Sequence, residues 1–302
     1  TILALSWFPE FGIKAIFYGY WHSVSSFCNA GFDLFGGFQS YTRYVTDWTV
    51  NLTVSTLIIL GGIGFTVIAD VWEKRKFRKL SLHSRVVITA TLFLIIIGTL
   101  GIFAIEYNNP ATLGALDMEG KILSSYFQSV SSRTAGCNTI DIGKMENAAL
   151  FLIVILMFIG ASPASTGGGV KTSTFSILLA SFWAIIRNRE DAVLFERRIP
   201  YHTVYKALAV VFLAAMLVII VTMMISIHDN QSFLFILFEV VSAFGTVGLS
   251  TGITPDLSDA SKLWLILTML AGRVGPVTLV LAISMKENRH PVRYTEGRVI
   301  IG

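Results

Sequence analysis

"SAFGTVGLSTG", Ser242–Gly252, carries three glycines and no charge, and it lies between two long apolar stretches. Glycine at such density does not hold a helix. In a water-soluble protein the stretch would be an ordinary surface loop. The rest of the chain argues against that setting. Its 302 residues are 54% hydrophobic and 14% charged, with a mean hydropathy of +0.68. A soluble domain carries about a quarter charged residues. The composition instead points to an all-α polytopic membrane protein. The glycine-rich stretch then sits inside or beside the bilayer, where irregular backbone survives only if buried in protein or lining a watery path.

The formal charge of +4 does not indicate nucleic acid. Fifteen of the 23 basic residues fall in three segments, Glu73–Arg85, Arg187–Lys206 and Lys286–Arg298, each between or after apolar spans. That bias places these segments, and the C-terminus, on the cytoplasmic side. The outer connections hold eleven acidic residues, Asp33 and Asp141 among them, against five basic ones. They read equally as an acidic mouth that gathers cations and as a solvated surface. Cys28 and Cys137 supply neither a disulfide framework nor a zinc spacing, and read as small packing residues. The five histidines are scattered. No ATPase, protease or metal constellation is visible, so an enzyme is not expected.

Full spans read as Val50–Trp72, Arg85–Ile105, Tyr201–Ile227 and Lys262–Met285. A further apolar stretch, Asn147–Ile186, is interrupted by "GASPASTGGGVKTST", Gly160–Thr174. "TILALSWFPEFG" reads as the tail of a helix. Three shorter stretches, Phe17–Cys28, Lys121–Ser132 and Ser232–Gly245, are too short to cross, and each ends in a small-residue turn.

Aligned on their last glycine, three stretches repeat: "SVSSFCNAGF" at Gly31, "SVSSRTAGC" at Gly136 and "VSAFGTVGL" at Gly248. The glycines are 105 and 112 residues apart. Each follows a short helix and precedes an inward span. The unit is helix, re-entrant helix, glycine loop, helix, and such self-similarity decides the architecture. The units read as 1–84, 85–200 and 201–302. Freed carbonyls in such loops can replace the hydration shell of a cation, and "TVG", Thr246–Gly248, matches the start of the potassium-channel filter. Tight helix-to-loop turns are the plainer reading of one copy, but not of three in equivalent places.

With "FCNAGFDLFG", "SSRTAGCNTID", "SAFGTVGLSTGITP", the glycine-rich interruption and "MLAGRVGP" together, the chain resembles the membrane subunit of the Trk/Ktr/HKT superfamily of potassium transporters, nearest to its Ktr branch. The resemblance covers essentially the whole sequence. It implies helix–pore-loop–helix repeats around a pseudo-fourfold pore. Three of the family's four repeats are visible, and the first is expected to lie outside this sequence or to be supplied by a second chain. It further implies potassium uptake, a homodimer of pore subunits in the cell membrane, a cytoplasmic nucleotide-binding regulatory ring, and stimulation by sodium. Potassium is the only bound species implied, with no organic cofactor.

On this reading the filter is Asn29, Ala30 and Gly31; Thr134, Ala135 and Gly136; and Thr246, Val247 and Gly248. The gate is Gly167, Gly168 and Gly169 together with Arg273, which lies mid-span and is expected to face the pore below the filter. The interruption does not fit a phosphate-binding loop, because Val170 separates Gly169 from Lys171 and no strand precedes it. A structural kink remains the plainer account of it. Arg133, three residues before Gly136, is expected to point away from the ion path and pair with Glu239 or Asp141. "KRKFRKLSLHSR", Lys74–Arg85, reads as a topology signal and partner surface, or as a patch for anionic lipid. An alternative from a different class is a secondary cation transporter with broken helices and a midplane substrate site. It predicts inverted repeats, whereas these are parallel.

Overall fold

The computed structural model describes residues 1–275. The far end of the span expected at Lys262–Met285, and the basic segment Lys286–Arg298, lie outside the described residues. The helices are α1 (Ile2–Phe11), α2 (Lys14–Phe27), α3 (Trp48–Ile63), α4 (Phe65–Lys74), α5 (Leu82–Glu106), α6 (Met118–Ser131), α7 (Asn147–Phe158), α8 (Thr172–Ile186), α9 (Tyr201–His228), α10 (Phe233–Gly245) and α11 (Asp259–Val274). A hairpin of two-residue strands, β1 (Val193–Leu194) and β2 (Arg197–Arg198), and an isolated parallel bridge between Ile159 and Val170 are the departures from an all-helical chain among the described residues. The hairpin was not foreseen, since strands of two residues carry no periodicity to read.

Local chemistry sets the helix starts. Asp47, Ser81, Asp117 and Ser258 each accept a hydrogen bond from a first-turn amide of α3, α5, α6 and α11. Such caps satisfy donors that the helix itself leaves open. Helices α5 and α9, 25 and 28 residues long, are long and apolar enough to cross a membrane. Both expose wide apolar faces, with Leu92, Phe93, Ile96 and Leu100 on α5 and Phe212, Ile219, Met223 and Ile227 on α9. Faces of that kind suit lipid.

Three short helices, α2, α6 and α10, have 14, 14 and 13 residues. At 1.5 Å per residue each spans about 20 Å, less than a bilayer core. Every residue of α10 from Phe238 to Gly245 is buried. That end of α10 is therefore sheathed by protein, as is α6 from Leu123 to Ser131 apart from the half-buried Tyr126, whereas α2 exposes Ile16, Phe17 and Tyr20. One core cluster joins residues of α7, α9, α10 and α11, and a second joins α1, α2, α3 and α6. The expected pore-loop architecture, with three visible units, is the one the chain adopts.

The span expected at Val50–Trp72 is not continuous. Helices α3 and α4 meet at Gly64 with a bend of 97°. Gly64 sits at φ 97°, ψ 135°, a conformation that strongly favours glycine. The bend is secured from outside the helix. Phe65 N donates to the Ala164 carbonyl at 3.0 Å, and a methyl on Gly64 would lie 2.5 Å from the Pro163 carbonyl oxygen. Gly275, at the end of α11, repeats the conformation at φ 92°, ψ 134°.

Candidate functional site

The three expected glycine loops leave the C-termini of α2, α6 and α10 and meet. A methyl on Gly31 would collide with the Ala135 carbonyl oxygen and lie 3.2 Å from Gly136 Cα. One on Gly136 would collide with the Val247 carbonyl oxygen and lie 3.1 Å from Gly248 Cα. Residues 217 positions apart in sequence thus line one spot, arranged in chain order.

The local backbone repeats as well. Gly31, Gly136 and Gly248 have φ of 72°, 79° and 95°, and the residues two before them, Asn29, Thr134 and Thr246, have φ of 51°, 79° and 50°. Ala30, Ala135 and Val247 stand between the two left-handed positions. For a β-branched threonine the conformation is strained, at a cost of about 1–3 kcal/mol. Three serines hold the turns: Ser25 Oγ donates to the Phe32 carbonyl at 2.8 Å, Ser242 Oγ to that of Leu249 at 2.6 Å, and Ser131 Oγ to that of Cys137. In each case the acceptor directly follows the loop glycine. The side-chain oxygen of Asn29, turned toward Thr134 Oγ1 at 3.2 Å, frees its Nδ2 to donate to the Ser26 and Ile58 carbonyls. Cys137 is buried, as expected of a packing residue, whereas Cys28 is exposed beside the loop.

The interruption between α7 and α8 lies directly against these loops. A methyl on Gly167 would collide with Thr134 Oγ1, and one on Gly168 would lie 2.5 Å from Thr246 Oγ1. The consecutive glycines therefore have a packing reason: no side chain fits between this segment and the two threonines. The other side of the segment is pinned to α3, where Ser162 N donates to the Gly62 carbonyl at 3.0 Å and Thr166 N to that of Gly61 at 3.2 Å. Cations hold its carbonyls. Lys171 Nζ donates to Gly167 at 2.7 Å, and Arg273 donates to Thr166. Arg273 thus reaches the segment from the last helix and remains exposed.

Arg133 departs from expectation. It is buried at 7% exposure and pairs with neither Glu239 nor Asp141. Its Nη2 lies 3.5 Å from the Gly160 carbonyl, and its Nε has no partner. The two acids are already engaged. Asp141 pairs with Lys144 at 3.0 Å on the surface. Glu239 Oε1 accepts from Ser250 Oγ at 2.7 Å and Thr251 N at 2.8 Å, and its Oε2 from Thr254 Oγ1 at 2.8 Å. Glu106, counted above among the outer acids, is fully buried, accepting from Asn109 Nδ2 and Glu146 N at 2.8 Å each. Glu106 therefore adds nothing to a solvent-facing acidic mouth.

The family model TrkH, described as a cation transport protein, matches residues 6–291. The chain belongs to the TrkH family of cation transport proteins. It is 42% identical over 302 residues to the Ktr system potassium uptake protein B of Bacillus subtilis, covering 100% of this chain and 67% of the relative. It is 39% identical over 307 residues to the potassium/sodium uptake protein NtpJ of Enterococcus hirae, covering 99% and 67%. The potassium transporter TrkH from Vibrio parahaemolyticus shares the fold, with a TM-score of 0.69 at 19% identity over 94% of this chain and 68% of that one. The chain spans about two thirds of the length of these relatives. TrkH family membership makes it a membrane transport protein and not an enzyme. Sequence reasoning missed the serine struts, although the "SS" shared by two of the repeats marks two of them, and the bend at Gly64.

Proposed function

We propose that this protein forms the ion path of a Ktr-like potassium uptake system. The observation that carries the reading is the meeting of Gly31, Gly136 and Gly248, each with a second left-handed residue two positions earlier. Potassium is the ion proposed for the carbonyls of Asn29–Gly31, Thr134–Gly136 and Thr246–Gly248. One glycine per loop supplies few ordered coordination rings, so discrimination against sodium should be modest. The printed name of the Enterococcus hirae relative, which includes sodium, fits that view.

Gly167–Gly169 form the gate, with Arg273 holding it closed beneath the filter. The closed arrangement is supported by the contacts of the segment with Thr134, Thr246 and Arg273. A homodimer of pore subunits on a cytoplasmic nucleotide-binding ring completes the system, and the basic segments Glu73–Arg85 and Arg187–Lys206 face that ring. Rubidium and potassium uptake in cells lacking their own uptake systems tests the reading. Growth at low potassium that depends on the protein, and that Gly136→Ser abolishes, is the expected result. Uptake indifferent to Gly136→Ser with normal expression sinks it.

A further inference from the structure

The loop serines give a better register for the three units than the loop glycines. Ser25, Ser131 and Ser242 occupy one structural position, because each donates to the carbonyl after the glycine. Three residues before each serine stands a polar side chain buried in its short helix: His22, Gln128 and Glu239, at 0%, 0% and 6% exposure. Two of them make the same bond. His22 Nε2 accepts from the Leu34 amide at 3.2 Å, and Glu239 Oε1 accepts from the Thr251 amide at 2.8 Å. Leu34 and Thr251 each lie three residues after the loop glycine. In the middle unit both polar atoms of Gln128 are buried without a partner among the described residues, and so is Thr139 Oγ1, three residues after Gly136.

We infer that His22 and Glu239 are positioning residues that fasten the outer limb of each filter loop to its short helix, with Gln128 at the third such position, and that His22 makes the first loop responsive to pH. The inference rests on the ion-path reading above. The serine fixes one end of the outgoing limb and the acceptor fixes it two residues further on. Together they decide where the loop carbonyls point. The two acceptors differ chemically. The Glu239 carboxylate takes four donors and has no reason to change. The imidazole can accept at Nε2 only while that atom is unprotonated. Its Nδ1 faces the Tyr18 carbonyl at 2.7 Å, which fixes the proton on Nδ1. A second proton at Nε2 would point a donor at a donor and break the strut. Trp7, Phe35 and Tyr41 enclose the ring, with Phe35 stacked at 4.5 Å. The charged or titratable groups facing it are Tyr18, Tyr41 and Asp33, while Glu10 on α1 is tied to Tyr44 and Arg43.

Two measurements test this. Nitrogen-15 NMR of histidine-labelled protein in detergent at about pH 8 should find His22 neutral with Nε2 unprotonated. A charged ring or the opposite tautomer overturns the inference, whether or not the protein transports. Potassium-over-sodium uptake then compares the protein with His22→Gln, which keeps an acceptor that does not titrate, and His22→Leu, which has none. The unaltered protein should lose selectivity roughly tenfold between about pH 8 and about pH 5, the scale of one lost buried hydrogen bond. His22→Gln should hold the higher value at both pH values and His22→Leu the lower. Equal acid sensitivity in the unaltered protein and His22→Gln overturns the inference. If no potassium moves at any pH, the ion-path reading falls instead, and the ring tautomer alone decides the strut.

Discussion

The guanidinium of Arg273 donates to the carbonyl of Thr166, joining the last described helix to a segment 107 residues earlier in the chain. No carboxylate competes for it among the described residues. The bond therefore ties a backbone segment to this helix while the arginine itself remains exposed.

Arg273→Ala should raise potassium flux and weaken its dependence on cytoplasmic nucleotide. The segment would keep Lys171 at the Gly167 carbonyl and the longer contact of Arg133 with that of Gly160. Single-channel or rubidium flux recordings check this. Unchanged flux in Arg273→Ala and in a deletion of 164–169, with normal folding, would show the segment to be a kink.

The loop glycines should not be equally sensitive. Alanine at Gly31 or Gly136 would meet a carbonyl oxygen of the next loop, whereas alanine at Gly248 would find nothing nearer than Gly136 Cα at 3.6 Å. All three share the left-handed strain, about 1 kcal/mol or more for a side chain. Selectivity in Gly31→Ala and Gly136→Ala should collapse, and Gly248→Ala should retain part of it. Equal loss in all three would point to strain alone.

Asp33→Asn should reduce uptake at low ion concentration more than Asp141→Asn does. Asp33 lies two residues beyond Gly31 and accepts a hydrogen bond from Phe35 N, while Asp141 is paired with Lys144. The effect should shrink at high ionic strength, where the Debye length shortens to a few ångströms. Loss that ignores salt would mean a folding role.

Asp229 caps the approach to α11, accepting from Ser258 N at 2.9 Å and Ser258 Oγ at 3.0 Å. The Ser261 hydroxyl, then the Ser258 amide and hydroxyl, hold its carboxyl below the usual carboxylate range. A depressed carboxylate stabilises the folded state above its ordinary range and loses that contribution as pH falls through its folded value. Thermal stability in detergent should therefore drop below about pH 4, and in Asp229→Asn that part of the drop should be absent.

Gly64→Ala should straighten or loosen the α3–α4 corner. The left-handed conformation and the Pro163 carbonyl both oppose a methyl there. Protease sensitivity at the basic stretch after α4 should rise, and the segment above it should lose its seat. An unchanged digestion pattern would contradict this.

Much of this arrangement is legible in the residues. Apolar length alone gives α5 and α9, and the spacing of Gly31, Gly136 and Gly248 gives the three short helices. The bend at Gly64 is not legible. One glycine in an apolar run costs a helix only about 1 kcal/mol, and what turns the chain is a pair of carbonyls, Pro163 and Ala164, about a hundred residues away. The solitude of Arg133 was equally hidden, because Glu239 had closer claimants in Ser250, Thr251 and Thr254. The equivalence of Gln128 to His22 and Glu239 escaped because the middle loop is one residue shorter than the other two. Alignment on glycine sets Phe127 beside His22 and Glu239, and only the serine bonds restore the register.

That the three loops are not identical, the middle one a residue shorter and Asn29 standing where the others carry Thr134 and Thr246, has a consequence for how such a protein changes over generations. In an assembly of identical subunits one codon alters every wall of the path together. On the ion path proposed here one codon alters one wall. Ion preference can therefore drift in small increments, each wall adjusted while the others keep the cell supplied.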